Sequence, residues 1–322
     1  MNSFGRKFRV QIFGESHGHN LGIVIDGCPP GIALDVSDFS ADLERRKAGA
    51  AGTTPRKEED IPLLVSGHFQ GYTTAAPLTV LFANNNTRSS DYTAQKDTPR
   101  PGHADFVLQQ KFNGFNDYRG GGHSSGRLTA ALVAAGVVAK KILDGISVHA
   151  WLAEAGGNTD IEAAVQQAIA DQDSIGGIVA CSVKGLPIGL GAPFFDSVES
   201  LISHAIFAIP AIKGIAFGSG FEAAAMKGSQ HNDPILDASG ATASNHAGGI
   251  NGGITNGNEL YFKVAVKPTS STPKEQLTWN SATNNVQPFT VKGRHDLCVA
   301  LRVPVVVEAV TAIVLADLLL DR

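Results

Sequence analysis

The stretch Gly177-Ile178-Val179-Ala180-Cys181-Ser182-Val183-Lys184-Gly185-Leu186-Pro187-Ile188-Gly189 decides the fold. Gly177 to Val183 is a short apolar run bounded by turn signals, the pattern of a buried strand. It stops at a G-x-P-x-G turn, and Ser197 then stands where a helix N-cap is expected. The same succession occurs once before. Gly22-Ile23-Val24 leads to Gly27-Cys28-Pro29-Pro30-Gly31 and then to a helix led by Asp35 or Ser37. A strand, the same turn and a helix in the same order indicate an internal duplication. The expected architecture is one pseudo-symmetric domain over residues 1–322, with halves of about 1–150 and 151–322.

Elements on either side fit two such halves. Arg6–Phe13, Leu21–Ile25, Ile61–Val65 and Pro77–Phe82 are strand-like in the first. In the second, Ser147–Ala153, Ile212–Phe217 and Glu259–Val266 are strand-like, and a helix starting at Thr159 or Asp160 runs to Gln172. Val303–Leu320 is the most apolar run, but it contains Glu308 and Asp317 and reads as a buried helix, not a membrane span. The segment AGAAGTTPRKEED after Lys47 reads as a flexible polar loop.

Within the first half lies Arg100–Arg127, RPGHADFVLQQKFNGFNDYRGGGHSSGR, followed by the helical pattern LTAALVAAGVVAKKIL. Gly120, Gly121 and Gly122 permit sharp bends and close backbone approach. Ser124 or Ser125 is a candidate N-cap, and N–H groups at a helix start favour an anion. The glycines alone also fit a simple turn into a core helix, but the clustered arginines and histidines favour a phosphate or another anion. Lys267-Pro268-Thr269-Ser270-Ser271 offers a second hydroxyl-rich turn with a cation, either a plain turn or a phosphate cradle.

Other motifs point elsewhere and are set aside. Gly14-Glu15-Ser16-His17-Gly18 fits G-x-S-x-G, but loop and strand follow where a nucleophile elbow requires a helix. His17 and His19 have no third ligand nearby in sequence, so proton transfer suits His17 better than metal binding. Gly218-Ser219-Gly220 to Ala223 fits a dinucleotide fingerprint only formally. Asp296, between His295 and the C-terminal helix, is either a cap or an acid–base group. A net charge of −4 argues against nucleic-acid or membrane-surface binding. Cys28, Cys181 and Cys298 lie far apart, and MNSFGRKFRV has no apolar h-region, so a cytoplasmic location is expected.

Taken together, FGESHG, DGCPPG, DLERR, RPGHAD, DYRGGGHSSGR, GSQHND, NHAGGINGG, KPTSS and GRHD resemble the chorismate synthase family along nearly the whole chain. The resemblance implies an α+β fold, a β-α-β sandwich with internal pseudo-duplication, assembled as a homotetramer. It implies conversion of 5-enolpyruvylshikimate 3-phosphate to chorismate and phosphate by anti-1,4-elimination with reduced FMN, the last step of the shikimate pathway. By the same resemblance, His17 protonates the departing phosphate, His103 holds the protonation state of the flavin, and Asp296 relays the ring proton. Ser16 and one serine of Ser124-Ser125 support them. Arg46, Arg100 and Arg127 clamp the phosphate and carboxylates. FMN is held by His123, Ser124, Ser125, Ala211, Gly252, Lys267, Pro268, Thr269, Ser270, Ser271 and Arg294. NADPH is a candidate source of reducing equivalents; with no added reductase domain visible, a monofunctional enzyme that relies on another source is expected.

The chain departs from the family pattern at His123, where an arginine is usual, at Gly52 or a neighbour, where a basic residue is usual, and at Pro210, where a polar one is usual. The segment after Trp151 is shorter. These departures keep open an alternative, a catalytically impaired FMN- or anion-binding protein of the same fold.

Overall fold

The computed structural model describes residues 2–56, 58–87, 92, 96–291, 293 and 295–322. Residues 1–143 contribute β1 (Ser3–Phe4), β2 (Arg9–Gly14), β3 (Asn20–Asp26), α1 (Ser40–Arg46), β4 (Leu63–Ser66), β5 (His68–Phe69), β6 (Tyr72–Thr73), β7 (Leu78–Ala83), α2 (Asp105–Lys111) and α3 (Thr129–Ile142). Five of these strands form an antiparallel sheet ordered β1-β2-β3-β7-β4. The remainder contributes β8 (Ser147–Ala155), α4 (Ile161–Asp171), β9 (Gly177–Lys184), α5 (Val198–Ile206), β10 (Ile212–Phe217), α6 (Gly228–His231), β11 (Ile250–Asn251), β12 (Ile254–Thr255), β13 (Leu260–Val266), β14 (Gln276–Asn280), β15 (Asn285–Phe289) and α7 (Pro304–Leu320). Its main sheet is also antiparallel, ordered β10-β13-β9-β8.

Alternation explains both sheets. Leu21, Ile23 and Ile25 on β3 and Leu78, Val80 and Phe82 on β7 share one face and are fully buried. Val179, Cys181 and Val183 on β9 pair with Val264, Phe262 and Leu260 on β13 in the same way. The first sheet packs on α3 and the second on α7, and the two helices pack on each other, so the layers are sheet, helices, sheet. Buried among both layers, α7 is apolar on all sides, as a helix without a solvent face must be. Its two acids are both engaged. Glu308 accepts from Arg45, Lys140 and the Ala150 amide. Asp317 accepts from the amides of Arg6, Lys7 and Phe8, fixing the N-terminal turn.

The duplicated turns make the same bonds. Thr73 Oγ1 donates to the Pro29 carbonyl (2.6 Å) and accepts from Ile32 N (3.0 Å). Thr255 Oγ1 donates to the Pro187 carbonyl (2.7 Å) and accepts from Leu190 N (2.9 Å). The strand order β2-β3-β7-β4 is matched by β8-β9-β13-β10, α1 by α5 and α3 by α7. Since β8 opens at Ser147, the second set of elements starts just after α3. The expected caps are present at Asp35, Asp160 and Ser197. The hairpin β14–β15 and helix α2 were not anticipated. Pro288 interrupts the strand pattern of the former, and the latter buries no residue.

Gly136 of α3 lies against Ala309 of α7, where an added Cβ would come within 2.4 Å of the Ala309 Cα. Gly136→Ala therefore forces two central helices apart, and denaturant unfolding is expected to show a loss of about 1–3 kcal/mol. Unchanged stability would contradict this tight crossing.

Candidate active site

One cavity of about 800 Å³ lies where the two sets of elements meet. Its floor is apolar, formed by Val303, Val306, Val310 and Ile313 along one side of α7 together with Leu128 and Leu132. Its walls are polar loops: Ser16 after β2, Arg46 at the end of α1, Thr54, Arg56, Glu58 and Asp60, then Gly120 and 123–127, Lys267–Ser271 after β13, and His295 and Asp296 before α7. Most of the expected site residues are thus brought to one place.

Arg46 and Arg127 share one partner. Arg46 Nη2 donates to one oxygen of Asp60 and Arg127 Nη1 to the other. All three residues are buried, Arg46 to 3% exposure. Burial opposes the Asp60 charge, but the two guanidiniums outweigh it and hold its carboxyl below the usual aspartate range. Burial also pushes the Arg46 guanidinium down to about 10, against the pull of Asp60. Arg46 Nε and Nη1 are buried with no hydrogen-bond partner among the described residues. Unpaired cationic donors on a cavity wall are a demand for an anion.

Arg100 is committed differently. It grips Asp105 through Nε (2.7 Å) and Nη2 (2.8 Å) and donates from Nη1 to Ser271 Oγ (3.0 Å). His103 Nδ1 is 2.7 Å from Asp105 Oδ1 and 3.1 Å from Arg100 Nη2. Because Arg100 Nη2 is itself a donor to that carboxylate, we assign the Nδ1 proton to the bond with Asp105. Nε2 is then free to exchange a proton in the cavity. Arg100 therefore stands mainly as a strut that aims His103 and ties it to the Lys267–Ser271 turn.

Two of the three glycines serve the two histidines. A Cβ on Gly120 (φ 59°) would lie 2.9 Å from His17 Nε2, and one on Gly121 (φ 83°) would lie 3.2 Å from His103 Cε1. His17 itself is buried behind Gly120 and meets Tyr92 edge-to-face, centroids 4.9 Å apart. It is not among the cavity-lining side chains, whereas Gly120 and Tyr92 are. Ser125 Oγ accepts from Arg127 N at the 3-10 turn that leads into α3, whose own first residue has no side-chain cap. Ser124 Oγ donates to the Gly121 carbonyl. His123 is exposed at the rim and donates from Nδ1 to the Gly14 carbonyl (2.7 Å).

On the opposite wall, Lys267 Nζ donates to Ser270 Oγ (2.6 Å), which donates to the Gly102 carbonyl (2.7 Å). Burial, and then the nearby Lys213, lower the Lys267 ammonium from its ordinary value. Thr269 Oγ1 is buried without a partner among the described residues. Ala211, at a φ of 73°, accepts from Lys267 N and lines the cavity with Pro210 and Pro268. Asp296 accepts from Thr54 N (2.8 Å) and from Arg302 Nη1 (3.0 Å). Gly252 sits in the β11–β12 turn and does not line the cavity, and Arg294 lies outside the described residues.

The segment expected as a flexible polar loop is instead part of the wall. Glu58 and Asp60 are buried, and Arg56 pairs with Glu58 (2.6 Å) while its Nη1 reaches Ser16 Oγ (3.4 Å). Gly52, marked as the site of a missing cation, packs on α4, where a Cβ would meet Val165 Cγ1 at 2.7 Å. No basic side chain belongs there, and Arg56 brings a cation to the cavity from the same loop. Alternating charges at Arg56, Glu58 and Asp60 were the available signal; Arg302 gave none, standing alone in an apolar run.

A family model described as chorismate synthase matches residues 8–320. The chain is 68% identical over 321 residues to a chorismate synthase of Chitinophaga pinensis, covering 99% of this chain and 97% of that one. It is 45% identical over 351 residues to one from Dehalococcoides mccartyi, covering 99% and 96%. A crystal structure of a chorismate synthase superposes with a TM-score of 0.77 at 25% identity, covering 99% of this chain and 93% of that one.

Burial alone would raise the Asp105 carboxyl, but bonds from Arg100 and His103 hold it well below the usual 3.8. A depressed carboxyl stabilises the fold above its unfolded value and loses that contribution as pH falls through its folded one. Asp105→Asn is therefore expected to cost about 3 kcal/mol near neutral pH. In denaturant titrations the gap should hold down to about pH 5 and close progressively below about 4. A gap that widened on acidification would contradict the pairing.

Proposed function

The chain belongs to the chorismate synthase family, and from that premise we propose that this cavity converts 5-enolpyruvylshikimate 3-phosphate to chorismate and phosphate with reduced FMN. The observation that carries the reading is Arg46, buried with two donors unpaired on the wall of a cavity with an apolar floor. The substrate is an anion with a phosphate and carboxylates on a carbon ring, and it suits both features.

In this reading Arg46 and Arg127 bind the anionic groups, and their guanidinium forks fix the ring in one orientation. The C–O bond to phosphate breaks with its electron pair leaving on oxygen. On the family resemblance His17 supplies a proton to that oxygen; its ring stands behind Gly120 and outside the cavity lining, so the proton has to pass that glycine. The C–H bond across the ring breaks, its electrons form a new double bond while the existing ring double bond shifts to the carbon that lost phosphate, and the Asp296 carboxylate is the final acceptor of the proton. Arg302 and Thr54 N hold that carboxylate in place. His103, fixed through Nδ1, keeps Nε2 available to hold or move a proton in the cavity, with Ser16 and Ser124 nearby in the same wall.

The residues present fit a flavin phosphate and ring. Thr269 Oγ1 has no partner among the described residues, Lys267, Ser270 and Ser271 line the same cavity, and Ala211, Pro210 and the α7 stripe offer an apolar bed. His123, Ser124 and Ser125 face the same cavity. When bound, reduced FMN supplies electron density to the electron-poor substrate without net oxidation. NADPH enters only as an outside source of that reduction. We further propose a homotetramer in the cytoplasm, and a single domain made of two pseudo-symmetric halves. The repeated Thr73 and Thr255 bonds support the last point.

His103→Ala and Asp296→Ala are each expected to lower turnover by about two orders of magnitude or more. Equilibrium titrations with substrate and reduced FMN should show both ligands still bound. Near-normal turnover in either variant would remove that residue from its role.

A further inference from the structure

We infer that Asp60 is the positioning residue of the substrate-binding cluster. One fully buried carboxylate holds the guanidiniums of Arg46 and Arg127 side by side so that the free edge of Arg46 meets the substrate anion. The inference rests on the reading above that these arginines bind the substrate.

Each oxygen of Asp60 accepts one N–H, from Arg46 Nη2 on one side and Arg127 Nη1 on the other. The Asp60 side chain has no solvent exposure, and the two arginine side chains are 3% and 5% exposed. Two like charges so placed repel in a poorly screened interior, and the anion between them offsets this only while both bonds hold. Arg127 is fixed further by Nε donating to Asn84 Oδ1 (3.1 Å). With Nη2 committed to Asp60, the buried Nε and Nη1 atoms of Arg46 have no partner among the described residues, and the side chain lines the cavity. Rotation of Arg46 is blocked by Asp60 on one side, and its carbonyl is held by Arg302 Nε (2.8 Å). The cluster of Arg46, Arg127 and Asp60 keeps one surplus positive charge. Asp60 also adopts a φ of 52°, a strained value for a residue other than glycine, kept where two cations demand this carboxylate.

The sign of the effect separates positioning from bulk electrostatics. Removing a negative charge would, by field alone, tighten binding of an anion. Loss of alignment would weaken it. Asp60→Asn is the suitable variant, because asparagine tolerates the same positive φ. We expect it to raise KM for 5-enolpyruvylshikimate 3-phosphate about tenfold, the effect of losing one charge-assisted hydrogen bond, with kcat changed far less. Calorimetric titration should show the same loss of affinity, and inorganic phosphate should compete more weakly than with the unaltered protein. Affinity unchanged or tightened in folded Asp60→Asn would overturn the inference.

Arg46→Met and the double variant Arg46→Met/Asp60→Asn complete the test, and the latter removes one charge of each sign should the single Asp60 variant fail to fold. If Asp60 acts through Arg46, the double variant binds substrate as Arg46→Met does. A further tenfold loss in the double variant would contradict that route. Unaltered substrate affinity in Arg46→Met would instead overturn the reading of Arg46 as a substrate ligand, a separate failure from that of Asp60.

Discussion

The contact between α3 and α7 is the constraint on which the rest depends. Gly136 has no side chain, so the two buried helices approach until Ala309 fills its place. Each helix carries one sheet on its outer side, and the closeness of the pair sets the spacing of both sheets. Glu308, one residue from Ala309, binds Arg45 of α1, Lys140 of α3 and the amide of Ala150 in β8. Burial disfavours its charge, but Arg45 and Lys140 outweigh that and keep the carboxyl below its ordinary range. One acid thus joins four elements at the centre of the sandwich.

The cavity is a consequence of that arrangement. It opens where loops from both halves converge over one end of α7, and the apolar stripe from Val303 to Ile313 becomes its floor. Most charges at its wall are coupled to a second one, Arg46 and Arg127 to Asp60, Arg100 and His103 to Asp105, Arg56 to Glu58, Arg302 to Asp296, while Lys267 is held by Ser270 Oγ. Such pairing allows a dense set of ions to be buried without unfolding the loops that carry them. It also leaves particular atoms unpaired, Arg46 Nε and Nη1 and Thr269 Oγ1, and these are where a ligand completes the structure.

Much of this was legible in the sequence, for reasons that are local. The G-x-P-x-G turns at Gly27 and Gly185, the alternation in β3 and β9, and the caps at Asp35, Asp160 and Ser197 depend on neighbours a few residues away. His17, His103, Asp296 and the arginines stood out by residue type and motif. What was not legible depends on distant partners. The loop at 53–60 is polar in composition, and nothing local shows that Arg46 and Arg127 would bury Asp60. The engagement of Arg100 by Asp105 and Ser271 likewise needs a residue far along the chain. Gly252 matches a motif yet lies away from the cavity, because a motif fixes a backbone turn and not its neighbours.

The most direct test of the account is anaerobic turnover of 5-enolpyruvylshikimate 3-phosphate, followed by absorbance, with chemically reduced FMN and in parallel with oxidised FMN. The account predicts chorismate and phosphate in equal amounts with the reduced flavin, none with the oxidised one, and no net consumption of reductant. Absence of chorismate while both substrate and reduced FMN are shown to be bound would contradict it. The cavity would then be a binding site without turnover.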